Sequence, residues 1–257
     1  KKAPTLSNLS TVLAPARAVM DRLKYPQKFV LISVLFALPL ALVMYLLVSE
    51  INDRIEFAQK EILGDQYLRP LRGLLEHVTQ SQMHAHDYTR RGLPYRPDLV
   101  RKQAKIEEDF KALAVVEREL GEVLKTPSKH DVLRENWRFL KEKLLKLQPG
   151  DSDDLHAQLI TDIRGLISHV GDTSNLILDP DLDSYYSMDA VLLKLPESVD
   201  ISRQIWLFGK KIIVPGHAAT DAEKAEFIRL ASLLRSTVEA TKVGMDVAFR
   251  NNPAQNL

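Results

Sequence analysis

Residues 29–49, FVLISVLFALPLALVMYLLVS, run without a single charged side chain. At about 1.5 Å of rise per helical residue the run is roughly 31 Å long, the thickness of a bilayer's hydrocarbon core. A core helix of a soluble protein would rarely stay apolar on every face over so many turns. A cleaved signal peptide also fits poorly, because the run is long, lies behind 28 residues and ends in Leu-Val-Ser-Glu instead of a small-x-small cleavage site. The stretch is therefore read as a transmembrane helix.

The charge on its two sides differs in sign. Residues 1–28 carry Lys1, Lys2, Arg17, Arg22, Lys24 and Lys28 against Asp21 alone, and the remainder of the chain carries 29 basic and 33 acidic residues. The positive-inside rule then places the N-terminus in the cytoplasm. The expected organisation is a cytoplasmic segment (1–28), a transmembrane helix (29–49) and a helical sensor domain (50–257) in the periplasm of a bacterium, anchored in the inner membrane. Within the first segment, Leu6, Leu9, Leu13, Ala16, Met20 and Leu23 recur at spacings of three and four. Two readings stand there: a helix lying on the anionic inner leaflet, or a tail interrupted by Pro4 and Pro15.

Beyond the membrane run the periodicity is helical, and no stretch alternates long enough to read as a strand. Helix 1 continues through Ile51, Ile55, Ala58 and Ile62, slips at Gly64-Asp65, and resumes at Leu68, Leu71, Leu75 and Val78 until Gly92. Helix 2 covers about 97–125, and helix 3 carries Leu133, Trp137, Leu140, Leu144 and Leu147 up to Pro149-Gly150. Helix 4, capped by Asp151 or Ser152, runs through Leu155, Leu159, Ile163, Leu166, Val170 and Ile177 until the Asp-Pro-Asp segment stops it. Helix 5 runs from about Asp183 to Pro215-Gly216. Helix 6 follows Thr220, whose side chain forms a capping box with Glu223, and carries Phe227, Leu230, Leu234, Val238, Thr241, Met245 and Ala248. Each helix has one stripe to bury, so the fold expected is all-α: an elongated up-and-down antiparallel bundle of about six helices, or two stacked bundles. That path returns helix 6 toward the bilayer, and a second apolar span with a cytoplasmic output domain is expected after Leu257.

Composition narrows the chemistry. The chain has no Cys, which removes thiol nucleophiles, Cys-ligated metals and disulfides. A net charge of +1 leaves no nucleic-acid footprint. No nucleophile elbow, phosphate-binding glycine loop or HExxH helix occurs, so the chain is read as non-enzymatic and without a cofactor.

Tyr25-Pro-Gln-Lys-Phe, Ser49-Glu-Ile-Asn, Gly64-Asp-Gln-Tyr-Leu-Arg-Pro-Leu-Arg, Leu178-Asp-Pro-Asp-Leu-Asp-Ser-Tyr-Tyr-Ser-Met-Asp and Asn251-Asn-Pro together resemble the N-terminal sensor region of bacterial transmembrane receptors. Methyl-accepting chemotaxis proteins are the nearest likeness; sensor histidine kinases and diguanylate cyclases use similar input modules. The resemblance implies a homodimer that detects a small molecule and signals to cytoplasmic partners through a region beyond this chain. A non-signalling helical membrane scaffold is the alternative of a different class.

Candidate ligand residues follow from the patterns. Asp179, Asp181 and Asp183 have the spacing of the first three positions of a calcium loop, but position six is Ser184 instead of Gly and position twelve is Ala190 instead of Glu. The segment is read first as helix punctuation, with Asp181 or Asp183 capping helix 5, and only then as part of a ligand pocket or a cation site. Tyr185 and Tyr186 point to different faces of that helix. Pro70 and Pro196 fall inside helices and each leaves a carbonyl without its usual donor; Arg69 and Arg72 bracket Pro70 and suit a carboxylate, or are solvated surface residues. His77 and His84 share a helix face at a spacing of seven, which is not the i,i+4 spacing of a helical metal site, so no metal is assigned to them. They are read as polar face residues, with ligand contact as the alternative.

Overall fold

The computed structural model describes residues 18, 20–178, 181–213 and 218–252, and among them the fold is all-α with no strand. Seven α-helices follow one another: α1 (Tyr25–Arg91), α2 (Arg96–Leu124), α3 (Pro127–Lys143), α4 (Pro149–Thr173), α5 (Leu182–Met188), α6 (Leu195–Ile212) and α7 (Asp221–Asn251). The chain divides into two compact units, Lys1–Glu56 and Phe57–Leu257.

The first unit contains the N-terminal part of α1. This helix is long and apolar enough to cross a membrane, with a mean hydropathy of 2.7 in its most apolar window and none of that window buried. Phe29, Leu35, Phe36, Leu40 and Tyr45 are all more than half exposed. The N-terminal amphipathic pattern of Leu6, Leu9, Leu13 and Ala16 lies outside the described residues.

In the second unit α1 is unbroken through Gly64 and Pro70 and ends where Gly92 takes φ of +84°, a conformation that favours glycine. Prolines at the first or second helical position open α2, α3 and α4, where the missing N–H would have no partner anyway. Cross-helix contacts fix the directions. Asn136 on α3 reaches Asp162 on α4, Trp137 on α3 reaches Glu107 on α2, and Ser81 on α1 reaches His156 on α4. α1 runs antiparallel to α4, since Ser81 meets His156 while Gly64 meets Ser174, and α3 runs antiparallel to α4, since Asn136 meets Asp162 while Lys125, just before α3, meets His169. Asp200 on α6 meets Arg164 on α4 while Leu192, just before α6, meets Gly171, so α6 runs antiparallel to α4, and Gly244 on α7 meets Tyr186 on α5.

One core joins Tyr67, Leu71, Leu74 and Val78 of α1 with Ile106 and Leu113 of α2, Leu133 and Leu140 of α3, and Ile160, Ile163 and Val170 of α4. Complete burial of each such aliphatic chain contributes about 1.5–3 kcal/mol before entropy is counted. Close backbone approach at Gly64 against Ser174 and Leu176 seats α1 on the end of α4, which explains the glycine at the slip in the apolar stripe.

Three boundaries differ from the sequence expectation. Helix 5 is not one α-helix: residues Asp189–Lys194 form a π-helical turn between α5 and α6. The Leu195 N–H bonds the carbonyl of Ala190, five residues back, and this wider turn absorbs the clash that Pro196 imposes on a regular helix. Helix 4 ends at Thr173, followed by a 3₁₀ turn at Leu176–Leu178, so the Asp-Pro-Asp segment is not what stops it. Its N-cap is Gln148, ahead of Pro149, and not Asp151 or Ser152. The capping box of Thr220 and Glu223 forms as expected.

Candidate functional site

The interior of the second unit turns polar where the C-terminal turns of α1 meet the start of α4 and the body of α6. The α1 stripe that supplies Leu71, Leu74 and Val78 continues with Ser81, Gln82 and His86, and the α4 stripe that supplies Leu159 and Ile163 begins with Ser152 and His156. All of these polar residues are buried. Antiparallel pairing brings the two polar ends of the stripes together.

Arg203 of α6, also buried, organises the cluster. Its Nε and Nη2 donate to Oδ1 of Asp200 at 2.9 and 2.7 Å, and its Nη1 donates to Oε1 of Gln82 at 3.1 Å. Oδ2 of Asp200 accepts from Arg164 at 2.8 Å and from Gln204 at 3.2 Å. A buried guanidinium is tolerable only with this degree of pairing. The Gln82 amide is used at both ends, since its Nε2 donates to the Asp153 carbonyl at 2.8 Å.

Two histidines flank the cluster. His156 is completely buried; its Nδ1 donates to the Ser152 carbonyl at 2.7 Å, so Nε2 of the neutral ring accepts from the Ser81 hydroxyl at 3.3 Å. Burial pushes the imidazole down to about 4, against the opposing pull of the Ser152 carbonyl. His86 Nδ1 donates to Oδ2 of Asp153 at 2.9 Å, and its ring meets Trp206 edge-on at 5.5 Å. Lys210 lies over the Trp206 ring at 4.8 Å and pairs with Asp87 at 3.1 Å. Beside this cluster an opening of about 300 Å³ is lined by His86, Arg90, Asp153, Gln204, Phe208 and Lys211, with Leu207, Glu226 and Leu230 completing it. Two buried atoms of its lining residues, His86 Nε2 and Asp153 Oδ1, have no hydrogen-bond partner.

The residues singled out from sequence sit elsewhere. Arg69 is exposed and pairs with Asp65 one turn back at 2.7 Å, and Arg72 is exposed. His77 reaches Asp109 of α2 at 2.6 Å. Burial raises the Asp109 carboxyl above its usual range, and the His77 hydrogen bond only partly offsets it. His84 is half-buried on α1. Asp179 lies outside the described residues. Asp181 occupies the N-cap of α5 but its side chain makes no capping hydrogen bond, and the Asp183 carboxylate accepts from the Ser184 N–H at 2.9 Å. The capping expected of these aspartates is therefore not formed through their side chains in the usual N2 or N3 pattern. Tyr185 and Tyr186 meet edge-on at 5.3 Å, and Tyr186 packs on Gly244. Among the described residues no hydrogen bond or ion pair joins Arg69, Arg72, His77 or His84 to the segment 181–186, so the candidates do not form one site.

The cluster that does form was missed for its key members, Gln82, Asp153, His156, Asp200 and Arg203. Its signal is the continuation of an apolar stripe in polar residues at the two helix ends that meet. Among the described residues no group of three or more His, Asp or Glu side chains is placed to hold a metal. Comparison of the chain with protein-family models, with curated proteins and with solved structures returns no match.

Proposed function

We propose that this chain is the membrane-anchored, ligand-sensing portion of a bacterial signal-transducing receptor, of the kind found in methyl-accepting chemotaxis proteins. One observation supports the reading above all: the unbroken helix α1 carries both the apolar run of residues 29–49 and the buried polar residues Ser81, Gln82 and His86. A helix that carries both is suited to pass on a small axial or rotational shift. On this reading the second unit is periplasmic, the protein is a homodimer, and its output lies in cytoplasmic partners. A scaffold would have no use for an incompletely satisfied polar interior, and that is why the receptor is favoured over it.

The chain contains no cysteine, so single cysteines report cleanly. A cysteine at position 10 is expected to be shielded from a membrane-impermeant thiol reagent in spheroplasts, and one at position 150 to react. Cysteines scanned from Ile51 to Ile62 are expected to cross-link between copies with a helical period. Inverted labelling, or an absence of cross-linking at every position, would refute the receptor reading.

A further inference from the structure

We propose that the opening between α1, α4, α6 and α7 binds a small 2-hydroxycarboxylate, a net anion whose hydroxyl lies next to its carboxylate. The charge around the opening is the first argument. From α1 comes Arg90, from α6 Lys211, from α4 Asp153 and from α7 Glu226. Both acidic groups are already engaged: Asp153 holds His86 through Oδ2, and Glu226 holds Arg229 through two contacts of 2.8 Å. Lys210, one residue from Lys211, is engaged too, by Asp87. Arg90 and Lys211, in contrast, are exposed and have neither an ion pair nor a hydrogen bond among the described residues. Glu226 is balanced by Arg229, and Arg90 and Lys211 together outweigh Asp153, so the net charge at the mouth is positive and stands on two helices, which favours an anion.

The orphaned atoms supply the second argument. With its Nδ1 proton directed at Asp153, His86 presents Nε2 as an acceptor when the ring is neutral, and Asp153 Oδ1 is an acceptor in either case. Two buried acceptors without a donor are costly and call for a donor from outside the protein. A hydroxyl next to the carboxylate provides that donor and leaves the ligand a net anion, which the net positive mouth attracts, whereas an ammonium makes the ligand a zwitterion with no net charge. Leu207, Phe208 and Leu230 leave an apolar wall for a short alkyl group.

The inference rests on the ligand-sensing reading, but its readout is binding to purified protein and does not depend on membrane orientation. Failure here leaves the topology result standing, and inverted topology leaves the binding result standing. The test is calorimetric titration of the detergent-solubilised full chain with L-lactate, propionate and L-alanine. L-Lactate is expected to bind roughly tenfold or more tightly than either comparator, which isolates the hydroxyl in one case and the net charge in the other. Arg90→Gln combined with Lys211→Gln is expected to weaken L-lactate by roughly tenfold or more, while the exposed pair Arg96→Gln and Arg101→Gln leaves it unchanged. No heat of binding for L-lactate up to about 10 mM would overturn the proposal. Equal binding of propionate or L-alanine, or indifference to the Arg90 and Lys211 changes, would overturn it as well.

Discussion

A Cβ added at Gly244 of α7 would lie 2.8 Å from Cδ1 of Tyr186 on α5, closer than carbon atoms pack without displacement. Tyr186 belongs to the aspartate-rich segment that contributes to the receptor resemblance, and this contact gives the segment a packing role.

The competition at that position has a measurable sign. Alanine is favoured over glycine in a helix by up to about 1 kcal/mol, while forcing an extra carbon against a ring costs about 1–3 kcal/mol. Gly244→Ala is expected to destabilise the wild type by about 1 kcal/mol and to stabilise a Tyr186→Ala background, where the obstacle is gone. Denaturant midpoints of the four proteins in the cycle check this. Stabilisation by Gly244→Ala in both backgrounds would mean that the ring moves aside freely.

Arg203 and Asp200 are expected to be strongly coupled. Removing Asp200 by substitution with Ala leaves the buried guanidinium with Gln82 as its remaining partner, and loss of one member of a buried pair costs about 3–5 kcal/mol. Replacing both, as in Asp200→Leu with Arg203→Met, is expected to cost less than Asp200→Ala alone. Chemical denaturation decides the matter: a single-variant loss below about 1 kcal/mol would show that Arg203 reaches water once unpaired.

His156 makes stability depend on pH in a defined direction. Burial holds the folded imidazole at about 4, below the unfolded value of about 6.5, so between these values the unfolded chain binds more protons. The contribution is fully present above pH 6.5 and is lost as pH falls toward 4. From pH 7 to pH 5 the loss expected is about 2 kcal/mol. His156→Leu should flatten that part of the profile relative to wild type, and an unchanged slope would contradict the assignment.

Thr220 accepts the Glu223 N–H at 3.2 Å and the Thr220 N–H donates to the Glu223 carboxylate at 2.9 Å. Thr220→Ala is expected to cost about 1 kcal/mol and Thr220→Asn close to nothing, because Asn caps as well. Thermal melts of the two variants test the order; equal losses would show that the cap contributes little.

The sequence by itself determined the helical class, the apolar run and most helix ends. These are local properties: proline at the first turn of α3 and α4, Gly92 after α1, and Thr220 with Glu223 at α7 each act within one turn of chain. Tertiary structure decided the rest. Which face of α7 is buried was set by the close approach to Tyr186, so Leu230, Thr237, Gly244 and Ala248 face inward while Phe227 and Val238, both on the expected stripe, are exposed. The polar site was settled the same way. Ser81, Gln82, His86, Ser152, His156 and Arg203 come from three helices and are unremarkable singly. Only the antiparallel pairing of α1 with α4, and the docking of α6 beside both, places their hydrogen-bonding groups within 3 Å or so of one another, because such bonds depend on distance in space and not on spacing in the chain.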